Sequence, residues 1–321
     1  MTDERYEREL FEYFGETLPE RIYDAHFHLT DRYAERKGYS DPYLQYTDFI
    51  RKTLGREVAG GMVMSSPSSR HTKETLDIDN GRNLEIARER GLAAGHIITP
   101  WNTYEEIADA IDAHPEIRAL KPYLTYTTTG NRLESDISDF APEWMFALAH
   151  ERRMPIVLHL SHYGNMLGDE ANIRELRYFS AKYPDAKLVL AHCAMGHHVR
   201  KLRLALPAIA DLKNIWFDCS GASETMAIYY CLKTFGPERM MWGGDHCFGE
   251  DLGRIASYGS NFLAIHPGYL KETGFPGDYK YQPLSNTAEC TLALLEAADL
   301  LSLTRTEREA IFYDIGKEIY G

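Results

Sequence analysis

The sequence predicts one α/β domain, a (β/α)8 TIM barrel, and three observations carry this prediction. Eight short apolar segments bounded by polar or turn-forming residues recur along the chain. Stretches with helical spacing separate them, and strands that alternate with helices form a parallel sheet that closes at eight repeats. No linker rich in Pro, Gly or Ser divides the chain, so we expect a single domain at residues 21–321 after an N-terminal helical extension at 1–20.

The predicted strands are residues 22–28, 61–65, 92–98, 117–124, 155–160, 187–192, 214–219 and 239–245. Each is apolar and short, as expected of a buried barrel strand. Helical spacing marks residues 83–90, 104–113, 142–152, 173–183, 199–210 and 225–235. Further helices are predicted before the first strand, at 2–14, and after the last, at 286–303 and 305–320.

Two long loop insertions follow the first and the eighth strand, at residues 29–59 and 246–285. The second insertion combines many glycines with the aromatic residues Phe248, Tyr258, Phe262, Tyr269, Phe275, Tyr279 and Tyr281. An insertion of this length suits a lid over the active-site cleft, and packing on the barrel rim is the alternative.

Composition narrows the class of function. The chain is 44% hydrophobic and 26% charged, as in globular proteins, and its net charge of −13 argues against nucleic acid or an anionic membrane as the main partner. The first residues, MTDERYEREL, lack an apolar signal region, and the five cysteines form no CxxC pair. We therefore expect a cytoplasmic protein with reduced thiols, a small-molecule substrate, and a homo-oligomer as an option.

Four predicted strands end in histidine or aspartate, in the segments YDAHFH, PIVLH, LVLAH and MMWGGD. The carboxyl ends of barrel strands meet at the face where such enzymes build their active sites. Residues two apart in a strand share a side, so His26 and His28 can chelate one divalent ion. His159 and Asp245 would complete the site. Zn²⁺ accepts this donor set, and Mn²⁺, Fe²⁺ or Co²⁺ could occupy a five-coordinate version.

His192 would stand beside the ion. It is either a ligand of a second ion or an acid/base group that stabilises an oxyanion, and we favour the acid/base role. Further candidates for substrate binding follow other strands, namely Tyr123, Arg70, Lys121, His162 and His246. Arg70 could hold a substrate carboxylate through two parallel hydrogen bonds.

With these residues the chain resembles the amidohydrolase superfamily, and within it the amidohydrolase-related family 2 group of hydrolases and metal-dependent decarboxylases. DAHFH, His159, LAHCAMG and WGGDHCFG correspond to the family's motifs on strands one, five, six and eight, and the resemblance covers residues 21–321. It implies that His26, His28, His159 and Asp245 bind metal and that Asp245 accepts a proton from the attacking water. The C-terminal segment IFYDIGKEIYG lacks the Asn pattern usual in the family.

Lys121, at the end of the fourth predicted strand, has two interpretations. The resemblance allows a carbamylated lysine that bridges two ions, with His159 and His192 holding the second. The alternative, which we favour, is a free ammonium that binds the substrate or a neighbouring acid beside a single ion.

The expected reaction is hydrolysis of a small carbonyl compound with a lactone, amide or ester-like bond, through water activated by the metal. Asp245 would take the proton and His192 would stabilise the oxyanion. A nonoxidative decarboxylase, hydratase or isomerase of a small carboxylic acid is the first alternative, and a barrel that binds a metabolite without turnover is the second. Asp24 favours hydrolysis, because many decarboxylases of the family have Glu two residues before the first histidine.

Overall fold

Eight parallel strands form the barrel in a computed structural model that describes residues 4–272 and 284–321. The strands pair in chain order from β1 to β8, which confirms the predicted (β/α)8 architecture. They are β1 Ile22–His28, β2 Val58–Met64, β3 Ala93–Ile98, β4 Ile117–Pro122, β5 Pro155–Leu158, β6 Lys187–Leu190, β7 Ile215–Asp218 and β8 Met240–Met241.

The segment after β8 closes the barrel against β1. Ala25 N donates to the carbonyl of Trp242 at 3.0 Å, and Asp245 N donates to the carbonyl of His26 at 2.8 Å. β8 is shorter than predicted, and the chain beyond it passes close to β1: a Cβ on Gly243 would lie 3.0 Å from the Cβ of His26. Glycine therefore permits the close approach that brings Asp245 beside the first-strand histidines.

Helices cover the outside of the barrel, and several begin at residues that the sequence marks as caps. Thr72 and Thr103 each accept a hydrogen bond from the backbone N–H three residues later, as expected of N-caps. The helices are α1 Glu4–Thr17, α2 Asp31–Arg36, α3 Pro42–Leu54, α4 Lys73–Arg90, α5 Tyr104–Ala113, α6 Ile137–Phe140, α7 Glu143–Glu151, α8 Glu170–Lys182, α9 Ala191–Met195, α10 Val199–Ala205, α11 Thr225–Phe235, α12 Pro267–Glu272, α13 Asn286–Leu300, α14 Arg305–Glu309 and α15 Ile315–Tyr320, with a π-helix at Ala310–Asp314 between the last two.

The first insertion is helical, whereas the sequence pattern indicates a loop. Its α3 begins at the N-cap Asp41 and ends at Gly55, which has a left-handed φ of 65°. Tyr46 and Ile50 of this helix are fully buried against the barrel. The insertion thus forms part of the core, because its apolar face has the helical spacing that burial requires.

The second insertion contains an antiparallel hairpin, β9 Arg254–Tyr258 and β10 Asn261–Ile265, followed by α12. Phe275, Tyr279 and Tyr281, which belong to the predicted aromatic lid, lie outside the described residues. Within residues 4–272 and 284–321, no helix combines the length and apolarity that crossing a bilayer demands.

The N-terminal helix packs on the barrel. Phe14 and Leu18 are buried in the same apolar core as the strands. The guanidinium of Arg56 donates hydrogen bonds to carbonyls at the end of α1, including those of Gly15 (2.7 Å) and Leu18 (2.9 Å). These bonds satisfy carbonyl groups that a helix end leaves without partners.

Candidate metal centre

Three buried side chains meet at the carboxyl ends of β1 and β8. The ligand atoms of His26, His28 and Asp245 all lie within 4.8 Å of one another. The Nε2 atoms of both histidines are 3.9 Å from Oδ1 of Asp245. The HxH spacing on β1 therefore does place two imidazoles on one side of the strand, facing one carboxylate.

Hydrogen bonds on the far side of each ring set the orientation of these imidazoles. His26 donates from Nδ1 to the carboxylate of Asp218 at 3.0 Å, and His28 donates from Nδ1 to the carbonyl of Ser65 at 2.7 Å. With the proton on Nδ1, each Nε2 carries a lone pair toward Asp245. Burial lowers the pKa of both histidines, so the rings are neutral, as a metal ligand must be.

Asp218 organises the site, and the sequence interpretation did not assign it a role. Its carboxylate accepts hydrogen bonds from His26 Nδ1, from the backbone N–H groups of His192 (3.1 Å) and Ser220 (3.2 Å), and from the Ser220 hydroxyl (2.5 Å). Burial alone would raise the pKa of Asp218, but His26 holds it well below its usual value. Asp218 lies at the carboxyl end of β7, as the predicted ligands lie at the carboxyl ends of their strands. This position is the sequence feature that could have identified Asp218 as part of the site.

Among the described residues, the buried carboxylate of Asp245 has histidines but no lysine or arginine within 4.0 Å. Burial raises its pKa well above the usual value, Asp218 adds to this effect, and Lys121 opposes it. The backbone of Asp245 is left-handed, with a φ of 51°. A carboxylate buried beside two neutral imidazole nitrogens is a donor set that a divalent cation fits, because the cation supplies the missing positive charge.

His159, the fourth expected ligand, borders this cluster but does not belong to its most compact part. The residue follows β5, and its ring centroid is 5.0 Å from that of His192. Its Nδ1 is buried and has no hydrogen-bond partner among the described residues. A buried ring nitrogen without a partner fits a site that binds a further ion or ligand group.

His192 lies in α9, which is a left-handed turn rather than an ordinary helix: its φ is 56° and the next three residues are also left-handed. The ring donates from Nδ1 to the carbonyl of Ser220 at 2.7 Å. Burial, with the neighbouring His26, lowers the pKa of His192 to about 3. The neutral ring therefore presents Nε2 as an acceptor, which differs from the expected role as a hydrogen-bond donor to an oxyanion.

Lys121 is buried close enough to the cluster to affect the pKa of His26, His28 and Asp245. Its side chain is fully buried, and Nζ has no hydrogen-bond partner among the described residues. Nζ lies 5.4 Å from the ring centre of Tyr123. Burial lowers the pKa of Lys121 to about 8, against the opposing effect of Asp218 and Asp245.

A cavity of about 420 Å³ opens above the cluster. His28, His159, His192 and Asp245 line its inner end. Its walls are largely aromatic and apolar and include Tyr123, Tyr163, Met195, Phe248, Ile255 and Phe262. Phe248 and Phe262 come from the second insertion, so this insertion contributes to the wall of the cavity.

Four of the five residues expected to bind substrate are not among the described residues that line this cavity: the buried Lys121 and three loop residues. Arg70 is exposed in the loop after β2. His162 faces acids instead, with Nδ1 3.3 Å from Glu134 and Nε2 3.0 Å from Asp136. His246 is buried and donates from Nδ1 to the carbonyl of His28 at 2.9 Å. Their positions after strands suggested substrate contact, but loop conformation turns these side chains elsewhere.

Comparison with known proteins agrees with this architecture. The sequence model of a family described as amidohydrolase matches residues 23–321. None of the curated proteins compared with the chain matches it. An amidohydrolase from Burkholderia multivorans, solved with bound zinc, is 14% identical, and the alignment covers 93% of this chain and 98% of that one with a TM-score of 0.57.

Two further solved structures carry more specific descriptions. A putative 2-pyrone-4,6-dicarboxylic acid hydrolase from Pseudomonas putida is 15% identical over 95% of this chain and 98% of that one, with a TM-score of 0.56. The 5-carboxyvanillate decarboxylase from Sphingomonas paucimobilis is 12% identical over 94% of this chain and 99% of that one, with a TM-score of 0.52. At these identities the similarity shows a common fold.

Proposed function

Because the chain belongs to the amidohydrolase family 2, we propose that it is a metal-dependent hydrolase of a small carbonyl compound with a lactone, amide or ester-like bond. The observation that carries this proposal is the convergence of His26, His28 and Asp245, whose ligand atoms lie within 4.8 Å of one another at the floor of a cavity. Hydrolysis needs an activated water and a polarised carbonyl, and such a cluster is suited to both.

We assign the metal to His26, His28 and Asp245, with His159 as the fourth ligand. A single divalent ion, with zinc as the first choice, would supply Lewis acidity that polarises the carbonyl and makes the attacking water more acidic. The site is mononuclear in this proposal, and Lys121 acts as a free ammonium. Burial raises the pKa of Asp245, and the positive charge of Lys121 partly opposes this rise and so favours the carboxylate form.

The chain's own groups then move the proton and orient the substrate. Asp245 presents Oδ1 to the two histidines, and its Oδ2 lies 4.0 Å from Nδ1 of His192. We assign proton acceptance from the attacking water to Asp245. His192, with a free acceptor at Nε2, receives a hydrogen bond from the attacking water, and Asp245 passes the proton that it has accepted to the leaving oxygen or nitrogen.

Tyr123 is the donor available to the substrate carbonyl. Burial raises its pKa, so the hydroxyl stays protonated at neutral pH. The residue lines the cavity, and its ring lies 5.3 Å from that of His159. A phenol held in a partly dry cavity can stabilise a developing oxyanion without giving up its proton.

Decarboxylation is the second candidate, since one of the structures with this fold is a decarboxylase. The contacts of Asp24 favour hydrolysis. Its Oδ1 accepts hydrogen bonds from the backbone of His26 and Gly244, both at 3.0 Å, and its Oδ2 accepts one from Tyr46 at 2.7 Å. Both carboxylate oxygens of Asp24 therefore accept hydrogen bonds from the protein, and the role of Asp24 is structural.

A direct assay separates the two reactions. The zinc-loaded protein is offered a panel of lactones and aromatic carboxylic acids while proton release and carbon dioxide are measured together. Hydrolysis predicts proton release from at least one lactone with no carbon dioxide. Carbon dioxide from an aromatic acid, without lactone turnover, would replace the proposal by decarboxylation.

A further inference from the structure

His197 is a buried histidine of the cavity wall that the proposed reaction does not use. It follows the left-handed turn that carries His192, is 6% exposed and lines the cavity. Among residues 4–272 and 284–321, no group forms a hydrogen bond with either of its ring nitrogens, although its backbone carbonyl accepts one. Unlike Nδ1 of His159, these nitrogens are not closed off by surrounding atoms, so a ligand in the cavity can reach them.

The second insertion holds this ring in place without using its nitrogens. Ser257, in β9, donates a hydrogen bond from Oγ to the carbonyl of His197 at 3.2 Å and accepts one from the backbone N–H of Val199 at 3.0 Å. Phe262, in β10, packs against the imidazole, with 5.2 Å between the ring centroids. The hairpin therefore fixes the backbone and contacts the ring, and it leaves both nitrogens free to bind a ligand.

The charge state of His197 indicates which group it can bind. Burial lowers the pKa of His197 to about 4, so the ring is neutral at pH 7 and has one donor and one acceptor nitrogen. A hydroxyl group can donate or accept, so it can pair with whichever nitrogen faces it. A carbonyl or ether oxygen can only accept, and a carboxylate would form no ion pair with a neutral ring. Because an unpaired polar group in a buried position is unfavourable, a ligand that supplies the partner gains affinity.

We propose that His197 binds a hydroxyl group of the substrate and so determines specificity. The inference rests on the proposed function, because it places the reacting carbonyl at the metal centre. It narrows the substrate class to carbonyl compounds that also carry a hydroxyl group. The spacing suits one small molecule: the ring centroid of His192 is 5.1 Å from that of His26 and 6.3 Å from that of His197. A carbonyl beside His192 and a hydroxyl beside His197 can therefore belong to the same substrate.

Binding of unreactive zinc ligands tests the proposal without turnover. A hydroxamate chelates zinc and so anchors its chain at the metal centre. Butano-, pentano- and hexanohydroxamate are each compared with the analogue in which a hydroxyl replaces the terminal methyl group, so that the hydroxyl lies at different distances from the metal. Dissociation constants are measured by calorimetry with the zinc-loaded protein, with His197→Phe, which keeps a ring, and with His197→Leu, which does not.

His71→Phe is the matched control for these measurements. The ring nitrogens of His71 already have partners, since Nδ1 lies 2.7 Å from the hydroxyl of Tyr126 and Nε2 lies 3.0 Å from Asp79. His71 is also not among the described residues that line the cavity. The control therefore removes an imidazole from the same end of the barrel without removing one that a ligand can contact.

We expect at least one hydroxylated analogue to bind about tenfold more tightly than its methyl partner, a ratio that corresponds to about 1.4 kcal/mol. His71→Phe should keep this advantage. His197→Phe and His197→Leu should lose it while they bind the methyl compounds with about parental affinity and melt near the parental temperature, and either variant is sufficient for the comparison. The proposal is overturned if no hydroxylated analogue binds more tightly than its partner, if the advantage survives in a His197 variant, or if His71→Phe loses it as well. Failure of the proposed function would appear separately, as absence of lactone hydrolysis by a protein that still shows these binding differences.

Discussion

The Nδ1 atom of His26 donates a hydrogen bond to Asp218 at 3.0 Å, and this bond joins β1 to β7 beneath the metal centre. Asp218 also accepts hydrogen bonds from the backbone of His192. One buried carboxylate thus fixes the ring of a proposed metal ligand and the turn that carries the proposed acid/base residue. The arrangement makes Asp218 a positioning residue, since His26 would lie between it and the proposed metal ion.

Replacing Asp218 with Asn should weaken metal binding. The amide cannot provide the charge that holds the proton on Nδ1 of His26, and loss of such a partner typically lowers metal affinity about 10- to 100-fold. Affinity is measured by competition with a chelating dye. Asp211→Asn is the control, because Asp211 pairs with Arg177 at the surface. Equal affinity in the two variants would show that Asp218 does not orient the ligand.

Gly221→Ala should impair the site beyond its effect on stability. A Cβ at Gly221 would lie 3.1 Å from Nδ1 of His192 and 3.3 Å from Oδ2 of Asp245, and the residue has a φ of 62°. Gly130 has a φ of 73° but open space where a Cβ would lie, so Gly130→Ala imposes the backbone strain alone. We expect each variant to lose about 1–2 kcal/mol of stability. Only Gly221→Ala should lose most of its kcat, and a matching loss in Gly130→Ala would refute the steric explanation.

Tyr46→Phe should destabilise the fold through Asp24. The change removes the hydroxyl that donates to Asp24 at 2.7 Å in a fully buried position, while the stacking of this ring on Phe27 is retained. A buried acceptor left without its donor costs about 1–3 kcal/mol, measured as the free energy of unfolding in urea. Tyr39→Phe removes a comparable bond to Asp48 near the surface and should cost less. The reverse order would mean that the Asp24 contact is not stabilising.

The stability of the metal-free protein should fall as the pH drops below about 6.5. Burial lowers the pKa of His192 to about 3 and that of His197 to about 4, so both stay neutral in the folded state. The unfolded chain takes up protons at about pH 6.5, so acid favours unfolding, by about 2 kcal/mol per histidine between pH 7 and 5. His197→Asn should lose correspondingly less stability over this range in urea titrations. An unchanged pH dependence would show that His197 does not contribute.

Much of the fold was predictable because buried strands and amphipathic helices leave regular patterns. The strand ends placed His26 and His28 correctly, since alternation along a strand fixes the side on which they lie. The helical first insertion was not assigned, although Asp41 before Pro42 and the glycine at position 55 are cap signals at the two ends of α3. The residues around α3 show no regular apolar spacing, so the sequence pattern did not indicate this helix, which packing against the barrel stabilises.

The rest of the site depends on proximity across the barrel. Asp218 contacts His26 from a strand 192 residues later in the chain, and no pattern among neighbouring residues of the sequence indicates such a contact. The direction of a loop side chain is equally inaccessible. Arg70 and His162 both follow barrel strands, but only the folded loops show that neither of them is among the described residues that line the cavity.

The metal content of the purified protein tests the central claim most directly. The chain is equilibrated with zinc, dialysed against metal-free buffer and analysed by elemental mass spectrometry, with His28→Gln and the surface control His150→Gln treated in parallel. We predict about one zinc ion per chain in the parental protein and in His150→Gln, and none in His28→Gln. Two ions per chain would contradict the mononuclear site and implicate a modified Lys121. A parental protein that retains no ion, or a His28→Gln variant that retains it fully, would contradict the account.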